Sequence, residues 1–552
     1  MSRLEEKEIT SNNLIIFGLT CIVGFGLGIR FFYFPDDTPI VTDGHIAFIY
    51  AIKTVFDGEL AVGYSVANTG WSYFLSFLFM FFDKTDPLQL MDVQRITSII
   101  FSSIIVIPIF FILRKFTTVK WALFGSFLTV IEPRLLLMSI EGINYSLFLF
   151  LFVLSIAFFL KKTNFSLLIS FICIACLMLV RYEGILLIIP FTVLYFFRFR
   201  NKKAIIHYLL IVFVMCMIII PVANFRIQAT EDRCFQSSFG DFCGEDGIIS
   251  HVFAGVSAVN SILLFDEQNI PKEIIESDNP GDLFLKEKYL TEDSNLIQMI
   301  KEGFYRLIKY VGYSSVPIFG FFILFNFITR LRERNGLNLG FDSKVILFYS
   351  GIMLLPALYA YVRGIDELRY TLVLLPLFCI LSTSWNKTIS KKFSKNSVLI
   401  ILVILILLAS LLFIDTNKRD YVHDMKSFTV SKEIVKITGI TNSFDQGGYI
   451  KIAMLFSNWP QLPDSGADGK VKHEFEKIPI KEFKSIEELI IKSRDKGLEF
   501  IVVDENTELF RDLRESSKEY VYLEKIFSYD ETERNNEFSI FKINYELFDL
   551  RT

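Results

Sequence analysis

A single carboxylate, Asp43, stands in the polar segment that follows the first long apolar run, Leu14 to about Tyr33. An acid at the level where water meets lipid is placed to take the proton of an acceptor hydroxyl while a sugar–phosphate bond breaks. Aspartate is also a favoured N-cap, so Asp43 is equally suited to begin the amphipathic helix near Gly44. Both interpretations of Asp43, as a general base and as a helix cap, remain open.

Three arginines stand beside apolar runs and next to acidic residues. Arg369 begins a late apolar run, where a guanidinium is costly unless it pairs or binds an anion. A phosphodiester leaving group offers such a partner in bidentate geometry. The alternatives for Arg369 are an ion pair with Asp366 or Glu367, or snorkelling to the interface. Arg134 and Arg181 have the same two possible partners, the phosphate of a substrate or a neighbouring acid, which is Glu132 for Arg134 and Glu183 for Arg181.

Aromatic side chains and one histidine accompany these charged groups. Trp71, Tyr182 and Tyr370 are predicted to contact a sugar or an isoprenoid chain, although interfacial aromatics occur in any membrane protein. His45, two residues after Asp43, is a candidate contact for an acceptor or a metal. A single histidine in a polar loop is more often a bystander, so the sequence assigns no metal ligand.

The composition indicates which environment these residues occupy. Of 552 residues, 52% are hydrophobic and 15% aromatic, and the mean hydropathy is +0.45. A water-soluble domain cannot bury that much apolar surface, so the sequence predicts an integral membrane protein. The net charge of −4 excludes the basic surface that nucleic-acid binding requires.

Apolar blocks separated by short charged loops predict about eleven transmembrane helices. Their approximate bounds are 14–33, 93–113, 119–131, 145–160, 165–180, 184–199, 204–223, 305–329, 344–362, 370–384 and 397–414. A short apolar piece, Trp71 to Phe82, is predicted not to cross. Lysine and arginine gather at every second junction, which places the N-terminus in the cytoplasm of a multi-pass plasma-membrane protein.

This topology divides the chain into two predicted domains. Residues 1–414 form the transmembrane domain, with outer loops at about 34–92 and 224–303, and residues 415–552 form a small extracytoplasmic α/β domain. In the latter, Ser485 to Lys496 has helical spacing, while Glu499 to Val503 and Glu537 to Asn544 have strand patterns. Cys234 and Cys243 lie in the second outer loop and are predicted to form a disulfide.

The order of these motifs resembles a known superfamily. The motifs are the first-loop Asp43, Asn68-Thr-Gly-Trp71, Glu132-Pro-Arg134, Ser139-Ile-Glu141-Gly-Ile-Asn144, Arg181-Tyr-Glu-Gly184 and Arg369-Tyr370. Together they look like the GT-C membrane glycosyltransferases that include protein O-mannosyltransferases and aminoarabinose transferases. The resemblance covers residues 14–384 and implies a polyprenyl- or dolichyl-phosphate sugar donor. It also implies inversion at the anomeric carbon, with the first-loop carboxylate as base.

The sequence departs from that pattern at two positions. Many relatives carry an Asp-Glu pair in the first loop, whereas Gly44 follows Asp43, and Tyr145 stands where relatives often have glutamate. Glu132 or Glu141 is then the candidate second carboxylate. No cofactor is required, a divalent metal stays an open alternative, and the acceptor is a protein, lipid or glycan.

Two other classes of protein compete with an enzyme. A secondary transporter or lipid flippase is the main alternative, but such proteins place charges near the middle of the bilayer and show paired repeats. Here the charges gather at the outer rim and no repeat is visible. The other class is a cell-surface scaffold with a membrane anchor, for which about eleven spans would be excessive.

Overall fold

The computed structural model describes most of the chain as helix. It describes residues 12–40, 43–58, 69–83, 86–161, 163–199, 202–230, 296–332, 340–362, 364–383, 396–419 and, with short gaps, 421–436 and 483–551. The described residues fall into two compact units: those of the first lie within Met1–Phe34, Val66–Phe74 and Gln94–Lys418, and those of the second lie within Pro35–Ser65, Leu75–Val93 and Arg419–Thr552.

Helices follow one another through the N-terminal three quarters of the chain. They are α1 Asn12–Phe32, α2 Asp43–Asp57, α3 Gly70–Phe79, α4 Pro87–Ile104, α5 Val106–Leu113, α6 Val119–Val130, α7 Pro133–Ile140, α8 Tyr145–Phe159, α9 Asn164–Val180, α10 Ile188–Arg198 and α11 Lys202–Thr230. After residue 295 they are α12 Leu296–Ser315, α13 Gly320–Arg332, α14 Phe341–Met353, α15 Leu355–Val362, α16 Leu375–Thr383 and α17 Asn396–Asn417. Two 3-10 segments, Tyr182–Leu187 and Leu368–Leu374, precede α10 and α16.

Several of these helices have the length and composition of membrane spans. Four are long and apolar enough among the described residues: Asn12–Phe32, Pro87–Leu113, Lys203–Asn224 and Phe341–Val362, with α6 and α7 as a bent pair that would make a fifth. In the first and third of these, 11% of the apolar window is buried by protein, so most of that surface must face lipid. The apolar helices therefore indicate a membrane protein.

The predicted count of eleven spans is not confirmed. Five further apolar helices have 10–17 residues, among them α8 and α9. At 1.5 Å per residue, a helix as short as α8 is roughly 22 Å long, less than the hydrocarbon thickness of about 30 Å. The predicted span at 305–329 is interrupted in the structure, because α12 ends at Ser315 and α13 begins at Gly320.

The first unit buries a cation inside its helix bundle. Arg30, near the end of α1, is fully buried. Its Nε donates to the hydroxyls of Ser102 (2.7 Å) and Ser139 (3.2 Å), and its Nη1 donates to the carbonyls of Gly26 and Val130 (both 3.0 Å). A buried guanidinium is tolerated when oxygens surround it, so Arg30 joins α1 to α4, α6 and α7.

The second unit contains a three-stranded antiparallel sheet. Its strands are β1 Phe500–Asp504, β2 Leu523–Glu531 and β3 Asn536–Ile543, in the order β1-β3-β2. Helices α18 Ile486–Ser493 and α19 Tyr545–Arg551 complete this region. The apolar core includes Ile490, Ile501 and Phe541.

Candidate functional site

A small recess in the first unit brings charged and aromatic side chains together. It has about 220 Å³ of empty volume and is lined by Tyr145, Phe148, Arg181, Glu183, Met353, Pro356, Tyr370 and Val373. Seven of these residues come from α8, the two 3-10 segments, α14 and α15, and Arg181 lies between α9 and the first 3-10 segment. The enclosed space is close to that of a single water molecule, so the recess is defined by its charged and aromatic lining rather than by its size.

Arg181 carries the positive charge of this recess. Its Nε lies 3.2 Å from both carboxylate oxygens of Glu183, and its Nη2 lies 2.5 Å from Oε1. Burial would lower the pKa of Arg181, but the Glu183 carboxylate outweighs burial and raises it, so the guanidinium stays charged. Rings surround it: the Tyr145 and Phe148 centroids lie 5.6 Å away and that of Tyr370 lies 6.0 Å away.

Arg369 and Tyr370 sit together near the start of the 3-10 segment Leu368–Leu374. The Arg369 guanidinium forms an ion pair with Glu367 and lies 5.7 Å from the Tyr370 ring. Two tyrosine hydroxyls hold the main chain here: Tyr145 donates to the Arg369 carbonyl, and Tyr361 donates to the Glu367 carbonyl at 2.8 Å. The structure thus brings Arg181, Arg369 and Tyr370, three residues singled out in the sequence, around Tyr145.

Arg134, the third predicted phosphate ligand, makes contacts within the protein. Its Nη1 donates to Glu132 Oε1 at 3.0 Å, and its Nη2 donates to the Tyr313 carbonyl at 2.7 Å, near the end of α12. Glu132 is fully buried and caps α7 at the Arg134 main-chain N–H. Arg134 is therefore engaged in a local ion pair and in capping α12, and its predicted binding of a donor phosphate is untested. The same holds for Glu132 as a second carboxylate.

Trp71 is fully buried beneath the Glu141–Asn144 segment. Its indole N–H donates to the Gly142 carbonyl at 3.3 Å, and the Gln94 amide donates to the same oxygen at 2.8 Å. Gly142 has φ +69°, a conformation that favours glycine. Trp71 thus holds the turn that carries the half-buried Glu141, and an inaccessible ring does not fit the predicted contact with sugar or lipid. The role of Glu141 as a second carboxylate stays a prediction.

The second unit contains the first-loop acids. Helix α2 begins at Asp43, so Asp43 is the first residue of the helix rather than the N-cap before it, and His45 in the first turn is half-buried. Carboxylate oxygens of Asp36, Asp37 and Asp92 all lie within 4.8 Å of one another. Carboxylates are the ligands that hard divalent cations prefer, so these three residues could hold one; Asp36 and Asp37 are exposed, as acids without a metal commonly are.

Some predicted site residues lie outside the described part of the chain. They are Cys234 and Cys243, together with the side chains of Asp43 and Tyr182. The predicted disulfide and the base therefore stay predictions.

Sequence reasoning did not assign Phe148 or Glu183 to a pocket and noted Tyr145 only as a departure from a family pattern. The available signal was spacing. Tyr145 and Phe148 lie three positions apart at the start of a helix and therefore share one face.

Comparison with known proteins establishes a fold likeness. No protein-family model and no curated protein sequence matches the chain. Solved structures of the oligosaccharyltransferase of Archaeoglobus fulgidus do: the apo form has a TM-score of 0.52 and 11% identity and covers 89% of this chain and 69% of that one.

Two further structures of the same archaeal enzyme agree. A complex with Zn and sulfate has a TM-score of 0.51 and 13% identity, covering 96% of this chain and 73% of that one. A form tethered to an acceptor peptide with an NVT sequon has a TM-score of 0.51 and 12% identity, covering 89% and 69%. The chain is therefore similar in fold to this archaeal oligosaccharyltransferase. At these identities the likeness concerns the fold alone.

Proposed function

We propose that this protein is a membrane glycosyltransferase of the GT-C type. It takes a sugar from a polyprenyl- or dolichyl-phosphate donor and transfers it, with inversion, to an acceptor hydroxyl on the extracytoplasmic side of the membrane. The fold likeness to an oligosaccharyltransferase supports the class of enzyme. The grouping of Arg181 and three aromatic rings at one recess carries the proposal, together with Arg369, which lies beside the Tyr370 ring and is joined to Tyr145 through its main chain.

The charges and rings of the recess match the parts of such a donor. Arg369 is the more accessible of the two arginines, with 21% of its side chain exposed against 11% for Arg181. A phosphate would bind Arg369 in place of, or beside, the Glu367 carboxylate. The Tyr370 ring next to it would stack against the sugar or the first isoprene unit.

The chemistry requires a base, and Asp43 has that role in this proposal. Its carboxylate takes the proton of the acceptor hydroxyl as the oxygen attacks the anomeric carbon from the face opposite the phosphate. The bond from the anomeric carbon to the phosphate oxygen breaks, and polyprenyl phosphate leaves with its negative charge stabilised by the arginines. Inversion follows from this single displacement.

The solved neighbour also suggests the first acceptor to test. That archaeal enzyme was tethered to an acceptor peptide containing an NVT sequon. A peptide is therefore the acceptor class to try before lipid or glycan acceptors.

The test is sugar transfer by the full-length protein in lipid nanodiscs. Radiolabelled polyprenyl-phosphate mannose or glucose is supplied with peptide, lipid or glycan acceptors, and labelled product is counted. We expect Asp43→Asn to abolish transfer, while Asp57→Asn, at the other end of the same helix, keeps it. Full activity of Asp43→Asn would remove the mechanism, and no transfer by the unmodified protein with any of these donors would remove the function.

A further inference from the structure

We propose that Tyr145 is a positioning residue that sets the geometry of Arg181 at the recess, and of Arg369 beside it, for the phosphate of the donor. This inference rests on the proposed glycosyl transfer. Tyr145 holds Arg369 through its hydroxyl and Arg181 through its ring, so one side chain fixes two cations that come from distant parts of the chain.

The hydroxyl acts on the main chain of the phosphate-binding segment. It donates to the carbonyl of Arg369 itself, which is the second residue of the 3-10 segment Leu368–Leu374. Tyr361 holds the carbonyl of Glu367, two residues earlier, at 2.8 Å. With only the Tyr361 bond, the main chain could rotate about Glu367, whereas two bonds fix the direction in which the Arg369 side chain leaves it.

The ring acts on the other arginine. Its centroid lies 5.6 Å from the Arg181 guanidinium carbon, and the ring packs against Phe148 with centroids 5.4 Å apart. Tyr145 is itself 1% exposed, so it has little freedom to move. A cation over a buried ring gains energy that depends on the relative placement of the two groups. Arg181 is therefore held between the Glu183 carboxylate on one side and aromatic faces on the others.

A role in proton transfer fits the geometry less well than a role in positioning. The Tyr145 proton is committed to a carbonyl oxygen, which does not exchange protons at the pH of an enzyme assay. The hydroxyl acts on the donor through Arg369, whose main-chain carbonyl it holds. Its removal should therefore weaken donor binding and leave the acceptor step unchanged.

The test separates the hydroxyl from the ring. Tyr145→Phe removes the bond to Arg369 and keeps the ring under Arg181. Tyr195→Phe is the matched control, because the buried Tyr195 hydroxyl also donates to a carbonyl, that of Ala204 at 2.9 Å, and Tyr195 is not among the residues that line the recess. Steady-state kinetics with polyprenyl-phosphate sugar should show a rise of about 3- to 10-fold in donor KM for Tyr145→Phe, the loss expected for one hydrogen bond.

Three further measurements make the test specific. The acceptor KM of Tyr145→Phe should stay within about twofold of the unmodified protein, since the bond acts on an arginine that holds the donor. Binding of sugar-free polyprenyl phosphate, measured without turnover, should weaken by the same factor as donor KM rises. In a double-mutant cycle, Tyr145→Phe combined with Arg369→Lys should bind donor no worse than Arg369→Lys alone, because the first change acts through the second residue.

Several results would overturn the inference while leaving glycosyl transfer intact. One is an unchanged donor KM in Tyr145→Phe, another is an equal rise in Tyr195→Phe, and a third is full additivity with Arg369→Lys. By contrast, normal binding of polyprenyl phosphate without any sugar transfer by the unmodified protein would contradict the proposed function itself.

Discussion

The hydroxyl of Tyr145 donates a hydrogen bond to the main-chain carbonyl of Arg369, a residue 224 positions later in the chain. This bond connects the first turn of α8 to a 3-10 segment that lies between α15 and α16. The recess therefore depends on contacts between distant parts of the first unit. Some substitutions near the recess should lower the stability of the protein, and others should weaken donor binding.

The first prediction concerns the buried ion pair of Arg181 and Glu183. Glu183→Gln leaves the guanidinium without a counter-charge in a site where Glu183 is 5% exposed, which should cost about 3–5 kcal/mol of stability. The exposed pair of Arg306 and Asp366 is the control, and Asp366→Asn should cost no more than about 1 kcal/mol. Thermal unfolding in detergent measures both, and equal losses would contradict the expectation.

The second prediction distinguishes an arginine that stabilises the fold, Arg134, from an arginine that binds the donor, Arg369. Arg134→Lys should lower the unfolding temperature, because the bonds to Glu132 and to the Tyr313 carbonyl need the geometry of a guanidinium. The donor KM should stay within about twofold, since these contacts lie within the protein. Arg369→Lys should do the reverse and raise the donor KM with little change in stability. A raised donor KM in Arg134→Lys at unchanged stability would instead indicate that Arg134 binds the donor phosphate.

The third prediction tests a close approach of two main chains. A Cβ added at Gly70 would lie 2.5 Å from the carbonyl carbon and 2.6 Å from the carbonyl oxygen of Leu179. Main-chain atoms cannot move aside as a flexible side chain can, so Gly70→Ala should cost about 1–3 kcal/mol or more. Gly28→Ala, where nothing lies within 4 Å, should be neutral or stabilising, because alanine favours helix. If both variants unfold at the same temperature, the contact with Leu179 is not formed.

The fourth prediction concerns acid stability of the C-terminal region. Burial would raise the pKa of Glu487, but the hydroxyl of Tyr522, which donates at 2.7 Å, and the hydroxyl of Ser485 help to lower it below its ordinary value. A lowered pKa means that Glu487 contributes stability above its unfolded-state pKa of about 4.5 and loses it as the pH falls through its folded-state pKa.

Hydrogen exchange along β2 is the measurement for that prediction. Protection should fall as the pH drops below about 4.5, once intrinsic exchange rates are corrected for pH. Glu487→Gln should reduce this extra loss, whereas Glu524→Gln, on the exposed side of β2, should leave it unchanged. The same loss of protection in all three proteins would exclude the bond between Tyr522 and Glu487 as its cause.

The C-terminal region shows what local patterns can predict. Helix α18 and strand β3 lie at the positions that periodicity indicated, and strand β1 lies where a continuous apolar run indicated a buried strand. Strand β2 was missed. It contains Glu524, Lys525 and Asp530, and its pairing shifts register between Lys525 and Phe527, so the alternation on which a prediction depends is interrupted.

The site shows the same limit. Each of the three arginines has an acidic neighbour two positions away, and the structure forms all three ion pairs, Arg134–Glu132, Arg181–Glu183 and Arg369–Glu367. Because the partners are close in the sequence, these ion pairs could be predicted as the alternative to phosphate binding. The contact between Tyr145 and Arg369 could not be predicted from a local sequence pattern, because it depends on how separate helices pack. By contrast, the interruption between α12 and α13 is visible in the sequence, because the helix breakers Pro317 and Gly320 lie within the predicted span.

The carbonyl of Gly142 accepts two hydrogen bonds, and this has a consequence for biosynthesis. Residues 71 and 94 leave the ribosome well before residue 142, yet both direct a donor at its oxygen. Until that residue is made, the indole N–H of Trp71 lacks this acceptor, and an unsatisfied donor in a nonpolar interior costs free energy. Nascent chains that stop before position 142 should therefore be favoured targets for membrane quality control, whereas chains a few turns longer should resist proteolysis.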